Sequence, residues 1–434
     1  MITHSHQISK RVDGASVHLP VCLSGGNVLS YLSLLGKRQS MREVFIVAAT
    51  RTPFGRFGGI FKDLTAVELG AAAIREAVLR ARIEGQLINH VILGNCVGAA
   101  TLGQVPARQA TLKAGLPDSV PTMSINTACT SALQAAGLGF ALIRHGEAEV
   151  IVAGGMESMS QVPYTLPQAR WGYRLGHGQI VDALTNALTC PISGVHMGVF
   201  ASQVAKEYDI GREAQDRWAL RSQQRYQAAR AAGKFTDEIV PVEVETRKGK
   251  VVVGEDEQPR PDTTYEKLAA LPPAFESEGT VTAGNAPGLN DGAAALVLMS
   301  GQATQAHGLE PLARIVATAP AAAAPRLINV VPALAAQNAL REAGLTVGDI
   351  ALWEINEAFA AVTLSAIKIL DVDPERVNVN GGSVAIGHPV GATGARILMT
   401  LIYELRRRGG GMGLATICGA GAHGYAMIVD TTSD

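Results

Sequence analysis

Apolar and polar positions follow two rhythms along this chain. Short continuous apolar runs, such as Val44–Ala49 and Glu149–Ala153, read as buried strands. Stretches with apolar residues three and four apart, such as Leu64–Arg82, read as helices. From Val44 the order is strand, helix, strand, helix, strand: Leu64–Arg82 is followed by the short strand Val91–Leu93. A helix over Ser131–Ile143 comes next, weakened only by Gly137 and Gly139, and then the run that closes in Gly154-Gly155. The same order returns later. Ala313–Ala317 is a strand and Ala333–Ala343 a helix stopped by Gly344. Ile350–Ile355 is a strand, Ala392–Arg407 a helix, and Gly413–Cys418 a strand running into glycine. Alternation of this kind predicts a mainly parallel sheet with helices on its faces, and its return predicts a duplicated α/β unit.

Two regions break the pattern. Between the halves, residues 164–278 hold a helix over Arg212–Ala232, stopped by Gly233, and a charged stretch, Arg247–Thr264. A lid or binding loop and a solvated surface excursion both fit that composition. Residues 1–40 carry a single acid, Asp13, with Lys10, Arg11, Lys37, Arg38 and three histidines. They are expected to be an extension, disordered or non-native, ahead of a start at Met41; a transit peptide is the alternative.

With 37 Lys and Arg against 38 Asp and Glu, the net charge of −1 supplies no field for nucleic acid or an anionic membrane. No apolar run reaches the ~18 residues of a membrane span. The five cysteines, Cys22, Cys96, Cys129, Cys190 and Cys418, are widely spaced without a CxxC pair. That arrangement suits a reducing compartment and shows no metal-ligand spacing.

Candidate chemistry gathers in four segments, each at a strand end or a helix start, where open α/β sheets place ligands. Cys129 lies among small residues just before a helix, where the macrodipole favours a thiolate. Asn356-Glu357-Ala358-Phe359 ends a strand. His388 stands in a Gly-Gly…Gly-His-Pro…Gly context, and Cys418 opens Cys-Gly-Ala-Gly-Ala-His. A nucleophilic thiol needs a base, for which imidazole is the usual choice, and a second thiol can move a proton to or from carbon.

Together these segments resemble the thiolase family: Cys129 in Asn-x-x-Cys-x-Ser, then Asn356-Glu357-Ala358-Phe359, Gly387-His388-Pro389 and the glycine-rich Cys418 motif. Gly154–Ser160 and Thr282–Gly292 agree, and the resemblance runs from about Met41 to Val429. It implies a five-layered α/β/α/β/α thiolase fold of two similar halves with an inserted loop domain. The implied boundaries are 41–163 for the first part of the N-terminal half, 164–278 for the loop or lid domain, 279–311 for the return, and 312–434 for the C-terminal half. By motif position, Cys129 would carry the acyl group as a thioester and His388 would activate it. Cys418 would exchange the α-proton. Asn356 would hold a water that, with His388, receives the enolate oxygen. The backbone N–H groups of Cys129 and Ala420 would form a second oxyanion hole. Leu188, His196, Met197, Arg260, Phe275, Ala283, Ala286, Leu289, Ala358 and Phe359 would line the path of coenzyme A and its pantetheine.

His196-Met197-Gly198 resembles the short-chain members, which implies an acetyl-CoA C-acetyltransferase working through an acyl-cysteine. The alternatives are a 3-ketoacyl-CoA thiolase for longer or functionalised chains and a non-catalytic acyl-CoA-binding protein. Acyl-CoA thioesters are then substrates, with no cofactor and no metal, in a cytoplasmic homodimer or homotetramer; a mitochondrial location goes with the transit-peptide reading. Three departures from the family pattern stand out. Thr130, Ala132 and Gln134 replace a more glycine-rich, basic segment, Pro287 stands for a serine, and Ala420 stands where glycine is usual. If Ala420 needs positive φ, its N–H is displaced.

Overall fold

The computed structural model describes residues 41–98 and 102–432, so the expectations for residues 1–40 lie outside the described residues. Strand β1 (Val44–Arg51) leads to helix α1 (Ala66–Ala81), which opens on a capping box. Thr65 Oγ1 accepts from the Glu68 N–H, and the Glu68 carboxylate accepts from the Thr65 N–H. There follow β2 (His90–Gly94), α2 (Pro106–Lys113), β3 (Thr122–Ile125), α3 (Ser131–Arg144) and β4 (Val150–Ser158). The insertion contributes α4 (Met197–Glu207), α5 (Arg212–Ala231) and a hairpin, Val242–Thr246 against Gly249–Val253, whose Val242 and Val244 are buried. The chain returns through β5 (Asn290–Ser300) to β6 (Ala313–Ala322), α6 (Val331–Ala343), β7 (Leu352–Ile355) and α7 (Ala360–Leu370). It closes with α8 (Thr393–Arg407), β8 (Met412–Gly419) and β9 (His423–Asp430).

The main strands form one hydrogen-bonded path in the order β7-β8-β9-β6-β1-β5-β4-β2-β3. The expectation of a mainly parallel sheet is corrected. β2 pairs in parallel with β3 and β4, and β7 with β8, but the β4–β5, β5–β1, β1–β6, β6–β9 and β9–β8 pairs are antiparallel. The physical cause is one reversed strand per half. β5 and β9 run against their neighbours, and both are apolar runs buried on both faces, where no two-residue alternation marks a strand. Without those two reversals each half is the parallel α/β unit that the sequence predicts.

Five layers result. One apolar cluster packs α1 and α2 on the outer face of the N-terminal strands, and another packs α6 and α7 on the outer face of the C-terminal strands. The central cluster joins α3 and α8 to strands of both halves. Gly137 makes the inner layer fit, because a Cβ there would lie 1.8 Å from the Tyr425 hydroxyl on β9. The glycine that weakens α3 as a helix is what lets it lie against the other half. Among the described residues no helix is long and apolar enough to cross a membrane.

Candidate active site

Cys129 projects from a tight turn between β3 and α3. Ala128 is left-handed at φ +53°, a conformation unfavourable for an L-residue. The turn is tied from several sides. Asn126 Oδ1 accepts from the Ala128 N–H at 3.1 Å, and Ser131 Oγ donates to the Ala128 carbonyl at 2.6 Å. Ser131 Oγ also accepts from the Thr127 N–H, and Thr130 Oγ1 donates to the Thr127 carbonyl. The Asn-x-x-Cys-x-Ser spacing is therefore the set of side chains that holds the cysteine in place. A third thiol, Cys96, rests 3.0 Å from the Ala128 carbonyl.

His388 follows a one-turn helix, Ser383–Ile386, and Gly387 at φ +109°. A Cβ on Gly387 would sit 2.6 Å from Asn290 Cγ, and Asn290 Oδ1 accepts from the His388 N–H. The tautomer of His388 follows from its partner. Thr393 Oγ1 donates to the Pro389 carbonyl at 2.9 Å, so at 2.7 Å from Nδ1 it can only accept, and Nδ1 carries the proton. Nε2 is left buried with its lone pair unpartnered. Beneath the loop, the buried Glu157 carboxylate accepts from the Cys96, Val97, Gly98 and Gly391 N–H groups, joining the two halves under the site.

Cys418 is the penultimate residue of β8, paired opposite Gly424. The concern over Ala420 is settled by the backbone: the left-handed residues of this turn are Gly421 and Ala422, not Ala420. The Ala420 N–H, like that of Cys129 itself, faces the Cys129 sulfur. Asn356, at the end of β7, is 1 % exposed; its Oδ1 accepts from Ser383 Oγ at 2.6 Å, and its Nδ2 has no partner.

One cavity of about 700 Å³ takes in Cys129, His388, Cys418 and Ala420. All ten residues expected along the coenzyme A path lie on its wall: Leu188, His196, Met197, Arg260 and Phe275 from the insertion, then Ala283, Ala286, Leu289, Ala358 and Phe359. Asn356 stands behind this wall rather than on it. His196 stacks on Phe275 at 4.3 Å between ring centroids, and Phe359 meets Phe275 edge-on at 6.1 Å. Arg260 is exposed and shares Ala283 and Ala286 with an adjoining cavity of about 180 Å³ that also holds Lys267.

The expected thiolate is corrected. Burial pushes the Cys129 thiol up to about 12, outweighing the two N–H groups that favour its anion. Burial raises the Cys418 thiol as well, with the nearby Cys129 adding to it. Burial, and then the charge of Arg396, lower His388 to about 3. All three groups are neutral near pH 7, so the site holds two thiols beside a ready proton acceptor and no standing ion pair. His196 is likewise shifted toward its neutral form by burial. Among the described residues no three His, Cys, Asp or Glu side chains converge as a metal ion would require.

Sequence reasoning missed Thr393, Ser383, Asn290 and Glu157, which hold the reacting groups from behind, and Phe57, Met159, Tyr164 and Asp182 on the cavity wall. Glu157 had a signal, an acid inside an apolar run, which needs buried partners. The others are ordinary residue types whose role depends on neighbours distant in sequence. His423 is exposed at the start of β9, opposite Gly419, and is not on the cavity wall.

Models of the thiolase N-terminal and C-terminal domains match residues 44–302 and 309–431. Acetyl-CoA acetyltransferase of Escherichia coli (strain K12) is 50% identical over 392 residues, 90% of this chain and 99% of that protein. The corresponding protein of Rhizobium meliloti (strain 1021) is 48% identical over 389 residues, 89% of this chain and 98% of that one. Among solved structures, Bacillus anthracis acetyl-CoA acetyltransferase superposes with a TM-score of 0.88 at 46% identity, covering 90% of this chain and 99% of that one. Human mitochondrial 3-ketoacyl-CoA thiolase also gives 0.88, at 42% identity over 91% of this chain and 100% of that one. With its motifs in order and its strands, helices and cavity arranged as described, the chain belongs to the thiolase family.

Proposed function

We propose that the chain is an acetyl-CoA C-acetyltransferase, reversibly condensing two acetyl-CoA into acetoacetyl-CoA and CoA. The observation that carries this reading is the meeting of Cys129, Cys418 and His388, with its free Nε2, at one apolar cavity. His388 Nε2 takes the Cys129 proton as the sulfur attacks a thioester carbonyl. The Cys129 and Ala420 N–H groups receive the oxyanion, where loss of one such donor costs about 10²–10³ in rate. Coenzyme A leaves with the proton of the Cys418 thiol, and Cys129 keeps the acetyl group while His388 keeps the proton it took. The Cys418 thiolate so formed then takes the α-proton of a second acetyl-CoA while protonated His388 and Asn356, through a water, hold the enolate oxygen. The carbanion attacks the acyl-Cys129 carbonyl; collapse of the adduct frees acetoacetyl-CoA, and the proton on His388 returns to the Cys129 sulfur, leaving Cys418 a thiol again. Arg260, exposed on the cavity wall, suits the phosphates of coenzyme A.

A second reading, a 3-ketoacyl-CoA thiolase of longer chains, is favoured by the 42% identity to the human mitochondrial protein of that name. Rates of CoA-dependent cleavage of acetoacetyl-, 3-ketohexanoyl- and 3-ketodecanoyl-CoA separate the two. Preference for acetoacetyl-CoA, abolished in Cys129→Ala, is the expected result. Preference for the longer chains replaces it with the second reading, and no turnover on any substrate rejects both. Assembly as a homodimer or homotetramer would cover Met123 on the edge strand β3 and Trp171 and Leu175 in the insertion, all exposed here.

A further inference from the structure

We propose that Arg396, acting through Ser383, decides which end of the Asn356 amide faces the reacting groups. The inference rests on the reading of Asn356 as a donor to the enolate site. A carboxamide is nearly symmetric in shape, yet one end accepts and the other donates, so a donor is useful there only if the amide is kept from turning over. The structure supplies that restraint as a chain of hydrogen bonds. Arg396 lies in the first turn of α8, and its Nη2 donates to Ser383 Oγ at 2.7 Å. A guanidinium has no acceptor, so Ser383 must meet it with a lone pair. The single Ser383 proton is then free to go to Asn356, 2.6 Å away, and the atom that accepts it must be Oδ1.

Nδ2 is thereby left as the free end, buried and without a partner. The reversed amide would ask Ser383 to accept from two donors and leave its own proton unpaired in a site sealed from water, since Ser383 and Arg396 are both 0 % exposed. Arg396 is itself fixed by Glu354 at 3.3 Å. Arg396 is thus a positioning residue, and what it transmits is hydrogen-bond polarity rather than contact with substrate.

The test is steady-state thiolysis of acetoacetyl-CoA by the full chain and its Asn356→Ala, Ser383→Ala, Arg396→Lys and Arg396→Gln variants, with the Ser383→Ala/Asn356→Ala double variant. Asn356→Ala is expected to lower kcat by about 10²-fold. Ser383→Ala should lower it by at least about tenfold with KM within about threefold, and should cost almost nothing further once Asn356 is alanine. Arg396→Lys keeps a donor-only cation and should retain more kcat than Arg396→Gln, whose amide can also accept. Ser383→Ala leaves the Arg396–Glu354 pair whole, so it carries the test if the Arg396 variants do not fold. Additive losses in the double variant, or wild-type kcat in Ser383→Ala, overturn the relay while leaving the Asn356 reading in place. Wild-type kcat in Asn356→Ala overturns both.

Discussion

Ala128, at φ +53°, is held in a conformation that costs an L-residue about 1–2 kcal/mol, and the residue it delivers is Cys129. Ala128→Gly is expected to relieve that cost, raising stability by up to about 1 kcal/mol in denaturant unfolding while lowering kcat as the cysteine turn loosens. A variant that loses stability would show that the methyl group, not the backbone, matters there. His388 gives a pH prediction. Its folded-state value of about 3 lies below the ordinary histidine range, so the unfolded chain takes up a proton first as pH falls. The stability it contributes is complete above about pH 6.5 and is lost toward pH 3, by about 1.4 kcal/mol per unit. Relative to wild type, His388→Asn should therefore gain about 2 kcal/mol between pH 7 and pH 5, read from paired unfolding curves. The Cys129 thiol, pushed up to about 12, should be alkylated by iodoacetamide at a rate that climbs throughout pH 6–9. A plateau near neutrality, followed on the Cys129 peptide by mass spectrometry, would reveal a standing thiolate.

At the scale of elements, α3 shows a local preference overruled by packing. Alanine at 137 would favour the helix by about 1 kcal/mol over glycine, yet its Cβ would lie 1.8 Å from the Tyr425 hydroxyl. The clash wins because Tyr425 sits in the packed central layer and has little room to move. Gly137→Ala should lower stability by about 1–3 kcal/mol, and Tyr425→Phe should recover part of that loss. Full stability in the single variant would mean that α3 can slide against β9. The helix boundaries themselves were legible in sequence. Arg212–Ala231 stops before Gly233 at φ +69°, and α6 ends at Gly344 at φ +67°, as the pattern of glycines predicts.

Over the whole molecule, the buried Glu357 carboxylate is one of the groups that fasten the insertion to the loops beside the cavity, together with Glu404, which binds Lys234 and Asn380. Glu357 accepts from Trp218 Nε1 and Ser222 Oγ on α5, from Asn378 Nδ2, and from the Val384 N–H beside Ser383. Glu357→Ala leaves these donors unsatisfied in a site closed to water, at a cost of about 2–5 kcal/mol. Faster hydrogen exchange should appear together in α5 and at residues 383–386 rather than across the sheet. Uniform loss of protection would instead make Glu357 a global element of stability.

The α/β alternation and its return were legible in the sequence, and Cys129, His388, Asn356 and Cys418 stood out there as candidates, because helix period, glycine stops and short motifs are local properties of the chain. The sequence could not determine the reversed course of β5 and β9, since a run buried on both faces has no polar phase to read. Nor could it fix the protonation of the site. A helix start argues for a thiolate, but only the folded chain shows how little water is left around Cys129, and desolvation outweighs the dipole. The tautomer of His388 and the facing of Asn356 were likewise decided by Thr393, Ser383 and Arg396, whose hydrogen-bond direction exists only once distant segments meet.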